Sequence, residues 1–323
     1  MSAPGSQVAV RRSLSRHART VALAAVVAPM RALPLRAGRC VGRFVGQLVF
    51  TLLKRYRTVA ISNLEMIYGD EMTAAERKGI AKSVFLNFGQ SAAEFVKLPS
   101  LADETVSSLV DATGEEFFAE AYARHHGVLL ISAHYGNWEW MARWLAIRGH
   151  KLTIVARKAN DAAADRLLMR TRNGNGTAVV LRGNSVRTIL TALKKNEMVG
   201  LLPDQNSADV WVPFMGRLTG TADGPAVLHL RTGAPIVFAF CRRRTDGRFC
   251  IDVEPPLMVE PTGDKARDVE RVTAAINQRI EARVRAHPDQ WLWLHDRWKA
   301  SRLEPWVSMP ALKNADVPPA PIR

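Results

Sequence analysis

The sequence predicts an α/β fold: a mainly parallel central sheet flanked by helices, with a helical, membrane-associated extension in front of it. Three observations lead there. From residue 127 onward, short continuous apolar runs alternate with helix-like stretches. Those runs lack polar alternation, which suits strands buried on both faces. The first 60 residues hold eleven Lys/Arg and no acid, the first acid being Glu65.

With 323 residues, 47% of them apolar and 23% charged, the chain can bury a sizeable core. This excludes a disordered tail, a fibrous protein and a disulfide-stapled miniature. The net charge is +15, from 45 Lys+Arg and 30 Asp+Glu. Beyond residue 60 the balance is 34 bases to 30 acids, so the basicity is an N-terminal arm on a nearly neutral body. A nucleic-acid-binding protein using that arm is one reading, although such proteins more often spread charge over a folded face. An arm mixing Arg with Val, Leu and Ala suits an anionic lipid surface, and no nucleic-acid partner is expected. Cys40, Cys241 and Cys250 form no C-x-x-C pair or metal-type cluster. They are expected as buried, reduced thiols, with no metal implied.

Two uncharged runs mark the arm, Thr20 to Met30 and Phe44 to Leu53. Each is too short to span a ~30 Å hydrocarbon core as a simple helix. Both are long enough for a helix lying in the interface, with arginines reaching to headgroups. A shallow re-entrant pair and one tilted anchor are the alternatives. Arg11-Arg12-Ser13-Leu14 ahead of an apolar run is the rival pattern of a secretion signal. The four arginines that follow by residue 43 favour an uncleaved anchor held on the cytoplasmic side.

Thr73-x-x-Glu76 is a capping box, and Ile80, Val84, Phe85, Phe88, Ala92 and Phe95 behind it mark one helix face. Met66 to Pro99 therefore reads as mostly helical. Strand-like runs follow at Gly127–Ala133, Leu152–Ala156, Thr177–Leu181, Met198–Leu202 and Pro235–Phe240. Trp138–Arg148, Asp161–Arg172 and Ser185–Lys195 are the helices between them. Arg248–Val253 adds a strand suited to antiparallel pairing, and Asp264–Ala286 is a long amphipathic helix. The domain boundaries are 1–60 for the basic, apolar anchoring segment, 61–126 for a helical lead-in and 127–305 for the α/β core. Residues 306–323 hold four prolines and read as a loose tail.

In an open α/β sheet, ligands bind where strands end. The first strong strand ends at Ser132-Ala133-His134-Tyr135-Gly136-Asn137-Trp138-Glu139. His134 sits at the strand exit, Asn137 is an N-cap candidate and Glu139 falls in the first turn of the next helix. On one continuous helix, five residues rotate two side chains about 140° apart. A turn at Tyr135-Gly136 can instead bring imidazole and carboxylate together. A His–Glu pair makes a general base, the carboxylate setting the tautomer. The alternative is a hydrogen-bonded buried histidine beside an ordinary helix-start acid. No Ser or Cys sits in an elbow motif, so direct attack by a substrate hydroxyl is the economical mechanism.

Ala133-His134-Tyr135-Gly136-Asn137-Trp138-Glu139 resembles the H-x4-E signature of the late acyltransferases of lipid A biosynthesis, the lauroyl/myristoyl transferase type. The resemblance continues in order through Leu33–Arg36, Lys54–Arg57, Asn63-Leu64, Glu197–Gln205, Val212–Arg217 with Thr221, Thr232–Val237 and Trp293–Lys299. General glycerolipid acyltransferases share the logic but usually carry H-x4-D. The glutamate favours the lipid A branch or the related mycobacterial mannoside acyltransferases.

The resemblance implies a glycerolipid-acyltransferase-like core that moves an acyl chain from a thioester to a lipid-linked sugar hydroxyl. It makes His134 the base and Glu139 its partner. Arg157 is implied as a phosphate clamp, against a plain surface arginine. Asp204 and Gln205 are implied to position the acceptor sugar or to order Arg157, against simple turn residues. Asn137 joins them as a substrate-binding candidate. Backbone N–H groups near Tyr135–Asn137 are expected to hold the developing oxyanion. Arg297 and Lys299 among Trp291, Trp293 and Trp298 suit either a membrane interface or a tryptophan core.

No cofactor is implied: acyl-acyl carrier protein or acyl-CoA enters as co-substrate. The expected partners are a glycolipid acceptor, acyl carrier protein and the cytoplasmic face of the bacterial inner membrane. A phosphatidylinositol mannoside-like glycolipid or a lysophospholipid are alternative acceptors. Two departures bear on the acceptor. The second strand reads Val155-Ala156-Arg157-Lys158, without the family's aromatic residue and Arg-Pro. Asn206–Trp211 lacks the glycine many members carry there.

Overall fold

A computed structural model of the chain describes residues 30–159, 161–181 and 185–303. Arg11–Leu14, all of the Thr20–Met30 run but Met30, and the 306–323 tail lie outside the described residues.

A seven-stranded sheet organises the molecule. Its strands in chain order are β1 (Val110–Thr113), β2 (Val128–Ile131), β3 (Leu152–Ala156), β4 (Ala178–Leu181), β5 (Met198–Leu201), β8 (Ile236–Arg243) and β9 (Phe249–Val253). They lie side by side as β1-β9-β8-β2-β5-β3-β4. Every pairing is parallel except β8–β9, which is antiparallel as the sequence predicts. β2 is buried along its whole length and splits its side chains between two cores. Leu129 and Ile131 face one core, Val128 and Leu130 the other, following the two-residue period of a strand. Three strands escape the sequence reading. β1 is a four-residue edge strand, and β6 (Val210–Phe214) with β7 (Arg217–Thr221) forms a separate hairpin. The hairpin turns at Met215-Gly216, both at positive φ, the geometry that matches strand twist.

The helices run in front of and between these strands. α1 (Leu35–Leu52), α2 (Lys54–Tyr68) and α3 (Ala74–Lys97) make the lead-in, with α4 (Asp103–Ser108) and α5 (Glu116–Tyr122) behind them. α6 (Trp138–Ile147) follows β2, α7 (Ala162–Gly174) follows β3 and α8 (Val186–Lys194) follows β4. α9 (Gly224–Thr232) and α10 (Lys265–Ala286) complete the layers, and α11 (Lys299–Leu303) ends the described chain. Thr73 and Glu76 form the expected capping box at the start of α3. The buried face of α3 is not the purely apolar one the spacing suggests. Phe88 and Ala92 are exposed, whereas Ser91 and Glu94 are buried.

α1 packs on α3 through glycines. Gly42, Gly46 and Gly89 stand so close that a Cβ on Gly46 meets the Phe85 carbonyl, and one on Gly89 meets the Gly42 carbonyl. The opposite face of α1 exposes Val41, Phe44, Val45, Leu48 and Leu52. Among the described residues no helix is long and apolar enough to cross a membrane. Cys241 is buried as expected, but Cys40 is exposed because it lies off the glycine seam of α1. Trp291, Trp293 and Trp298 pack with Phe214 in the core. Arg297 is fully buried among them and donates to the Gly220 carbonyl and Thr221. That burial pushes its pKa down to about 10. Of the two readings of this segment, the structure takes the core.

The seam predicts a packing phenotype. Gly46→Leu should destabilise the chain by about 1–3 kcal/mol, the usual cost of overpacking, read as a lowered Tm. Gln47→Leu, one residue off the seam, should leave Tm nearly unchanged.

Candidate active site

His134 and Asp204 meet at the C-terminal edge of two neighbouring parallel strands, β2 and β5. The chain leaving β2 enters α6, which packs on one face of the sheet. The chain leaving β5 enters the β6–β7 hairpin, which packs on the other. Connections that part to opposite faces open a crevice between adjacent strand ends, the usual ligand site of an open α/β sheet.

The turn that presents His134 is shaped by its own sequence. Gly136 has φ +56° and lies against the Cys241 carbonyl, so closely that a side chain cannot be accommodated. Asn137 caps α6, its side-chain oxygen accepting from the Trp140 N–H. Its amide nitrogen donates to Glu94 at 2.6 Å. Asn137 is thus a buried cap with both ends of its amide held by protein groups. The oxyanion expectation also changes. The Tyr135, Gly136 and Asn137 N–H groups donate to Ala133, Gln290 and Cys241 carbonyls.

Glu94 deserves its place beside the site because it joins four elements. Its carboxylate is fully buried and accepts from Arg39 on α1, Arg243 on β8 and Asn137 at the turn. Arg243 bonds both Glu94 oxygens at 2.6 Å and also Ser91, which donates to the Gly136 carbonyl.

The imidazole of His134 has partners on both nitrogens. Nδ1 is 2.8 Å from Asp204 Oδ1, and Nε2 is 3.3 Å from the Gln205 amide nitrogen. A carboxylate only accepts, so Nδ1 carries the proton and Nε2 the lone pair. The second Asp204 oxygen accepts from the His134 backbone N–H and from Trp291 Nε1, each at 2.8 Å. Burial pushes the Asp204 carboxyl up. The attraction of the neighbouring imidazole whenever it is protonated, and the hydrogen bonds from His134 and Trp291, outweigh it, so the net shift is downward. Asp204 is therefore an ionised, buried partner of His134. Gln205 is exposed beside Nε2, and Arg157 is exposed at the end of β3.

Glu139 falls in the first turn of α6 as expected, but its carboxylate turns away from the imidazole. It forms a bidentate ion pair with Arg172 on α7, with Nη2 to Oε1 at 2.6 Å and Nε to Oε2 at 3.3 Å. It also accepts from Trp138 Nε1 at 3.1 Å. The expected His134–Glu139 hydrogen bond is not formed, because Asp204 and Gln205 occupy the ring. Sequence reasoning missed Arg172, Glu94 and Arg243, and placed Trp291 only in a tryptophan cluster, not beside Asp204. None lies near the motif in sequence, and only the fold brings them to it.

A basic nitrogen held over a sheet-edge crevice, with a buried carboxylate behind it, is the equipment of an enzyme that draws a proton from an attacking hydroxyl. The protein is an acyltransferase. It belongs to the bacterial lipid A biosynthesis acyltransferase family, whose model matches residues 8–300. Over 263 residues it is 26% identical to the lipid A biosynthesis palmitoleoyltransferase of Escherichia coli (strain K12), covering 80% of this chain and 83% of that one. The lauroyltransferase of the same organism is 25% identical over 260 residues, 79% and 83% of the two chains. A phosphatidylinositol mannoside acyltransferase of Mycobacterium tuberculosis (strain CDC 1551 / Oshkosh) is 26% identical over 226 residues, 68% and 70%.

Two predictions follow from the buried groups. Glu94→Ala leaves Arg39 and Arg243 without their shared carboxylate and should cost about 3–5 kcal/mol, measured by denaturant unfolding. His295 accepts from the Asn206 N–H through Nε2, and burial lowers its pKa from the ordinary 6.5. As the pH falls below 6.5 the unfolded chain takes up a proton that the folded chain refuses. Its contribution to stability is therefore complete above 6.5 and declines below. The Tm of His295→Gln should fall less than that of wild type between pH 7 and about 5.5.

Proposed function

We propose that this chain transfers a fatty acyl group from acyl-acyl carrier protein to a hydroxyl of a lipid A precursor, at the cytoplasmic face of the bacterial inner membrane. The observation that carries the reading is His134, whose Nδ1 is held by ionised Asp204 and whose unprotonated Nε2 faces the exposed amide of Gln205, a partner that an acceptor hydroxyl can displace. Nε2 takes the acceptor hydroxyl's proton as that oxygen attacks the thioester carbonyl carbon. The C–O bond forms and the C=O electrons move to the oxyanion. Collapse of the oxyanion breaks the C–S bond, and the imidazolium returns the proton to the departing thiolate. Asp204 holds the tautomer and stabilises the imidazolium, and Gln205 lies beside the proton's path. Glu139 stands next to this pair as the motif's second residue. Arg157, exposed just after the neighbouring strand β3, is the proposed clamp on a phosphate of donor or acceptor.

The acceptor assignment is supported by the family and by the names of the two Escherichia coli relatives. A phosphatidylinositol mannoside-like acceptor is the second reading, supported by the mycobacterial relative. Acyl-CoA is the alternative donor. Membrane association is supported by α1, whose exposed Val41, Phe44, Val45, Leu48 and Leu52 recur at i, i+3, i+4 and i+7 spacing. Exposed Arg36, Arg43, Lys54 and Arg55 flank this stripe, placed for lipid phosphates while the apolar residues enter the interface.

With radiolabelled acyl-acyl carrier protein and a tetra-acylated lipid A precursor, wild-type membranes should form a labelled, more highly acylated product. His134→Ala should abolish turnover, and Asp204→Asn should lower it by roughly 10²–10⁴-fold. Turnover by wild type on a mannoside acceptor alone would move the acceptor to the second reading. Full activity of His134→Ala would reject the mechanism. In a vesicle co-sedimentation assay with anionic lipid, the variant Phe44→Asp/Leu48→Asp should stay in the supernatant where wild type pellets.

A further inference from the structure

We infer that Glu139 and Arg172 form a positioning pair that holds Trp138 against the imidazole, and that Glu139 does not set the tautomer of His134. This rests on the reading of His134 as the base and assigns the motif's glutamate a different task. Both ring nitrogens of His134 are taken by groups from the other side of the crevice, Asp204 and Gln205. The Glu139 carboxylate is nearly buried and its oxygens are spent on Arg172 and Trp138. Trp138 is what reaches His134: the two rings meet edge to face, with centroids 5.0 Å apart and planes at 69°.

The order of contacts is therefore Arg172, Glu139, Trp138, His134. Arg172 is itself held from behind, its guanidinium lying over Phe95 of α3 at 6.0 Å. Each link has a physical reason. A bidentate guanidinium–carboxylate pair has a fixed plane, so Arg172 fixes the carboxylate. The carboxylate sets the indole through its only polar donor, Nε1–H. The indole then limits how far the imidazole can swing on its side chain. Asp204 sets which nitrogen carries the proton, and the Trp138 wall sets where the other nitrogen points.

The pair carries no net charge, so removing both members alters geometry while leaving the local charge sum unchanged. In the full-length enzyme, Glu139→Gln, Arg172→Met and the double variant are each expected to lose about tenfold to a hundredfold in kcat, the scale of a small misplacement of reacting groups. The double variant should be no worse than either single. Its pH–rate profile should keep the wild-type shape, and KM should change little. Trp138→Phe retains a ring and lacks the donor, so it should reproduce the kcat loss while keeping the wild-type Tm, which separates positioning from misfolding.

Imidazole 15N NMR on histidine-labelled protein, with His134 assigned by its loss in His134→Gln, needs no substrate. The Nδ1–H tautomer should persist in the double variant and be lost in Asp204→Asn. Near wild-type turnover of Arg172→Met beside an inactive Glu139→Gln would overturn the inference. So would loss of the tautomer in the double variant, or an unimpaired Trp138→Phe. Failure of the base assignment shows differently, as turnover by His134→Ala.

Discussion

A single buried carboxylate ties the turn that carries His134 to the rest of the molecule. Glu94, in the last turns of α3, receives Arg39 from α1, Arg243 from β8 and Asn137 from the turn after β2. Charges at this depth persist only when paired and hydrogen-bonded, because desolvation is costly. The requirement works in both directions. The two arginines can be buried only if α1, α3 and β8 converge, and Asn137 can cap α6 in place only if Glu94 is there to receive its amide. The exposed apolar face of α1 and the imidazole edge are thereby parts of one rigid construction.

On that foundation the site itself needs little. Two adjacent parallel strands end side by side, one followed by His134 and the other by Asp204. Because their onward connections leave to opposite faces, the space above them stays open. Trp291 donates to Asp204 from the segment after α10, and the Leu292 N–H bonds the His134 carbonyl, so a distant stretch closes the back of the site. The tryptophans of the closing motif that follows, Trp293 and Trp298, are core residues. Its arginine, Arg297, holds the β6–β7 hairpin from inside.

Glu139 shows what a motif conveys and what it does not. Four intervening residues, a glycine at positive φ and a cap do place the glutamate near the histidine in space. Which way its carboxylate turns is decided by Arg172, 33 residues on in the chain and on another helix. Asp204, 70 residues from His134, wins the imidazole because β5 lies directly beside β2.

By itself the sequence determined the strands β2 to β5, β8 and β9, the helices α3, α6, α7, α8 and α10, the antiparallel β8–β9 pair, the capping box at Thr73, the strand-exit position of His134 and the family. These are local or near-local properties: period, length, turn chemistry and an ordered set of motifs. It did not convey β1, the β6–β7 hairpin or the nine-residue α9, which have short or broken patterns. It also misjudged the inward face of α3, where Glu94 and Ser91 sit. The tertiary structure alone decided the partner of His134, the occupation of the turn's N–H groups and the burial of the tryptophans. Those depend on which groups from distant segments converge, and a hydrogen bond or ion pair is made by proximity in space, for which sequence separation is no guide.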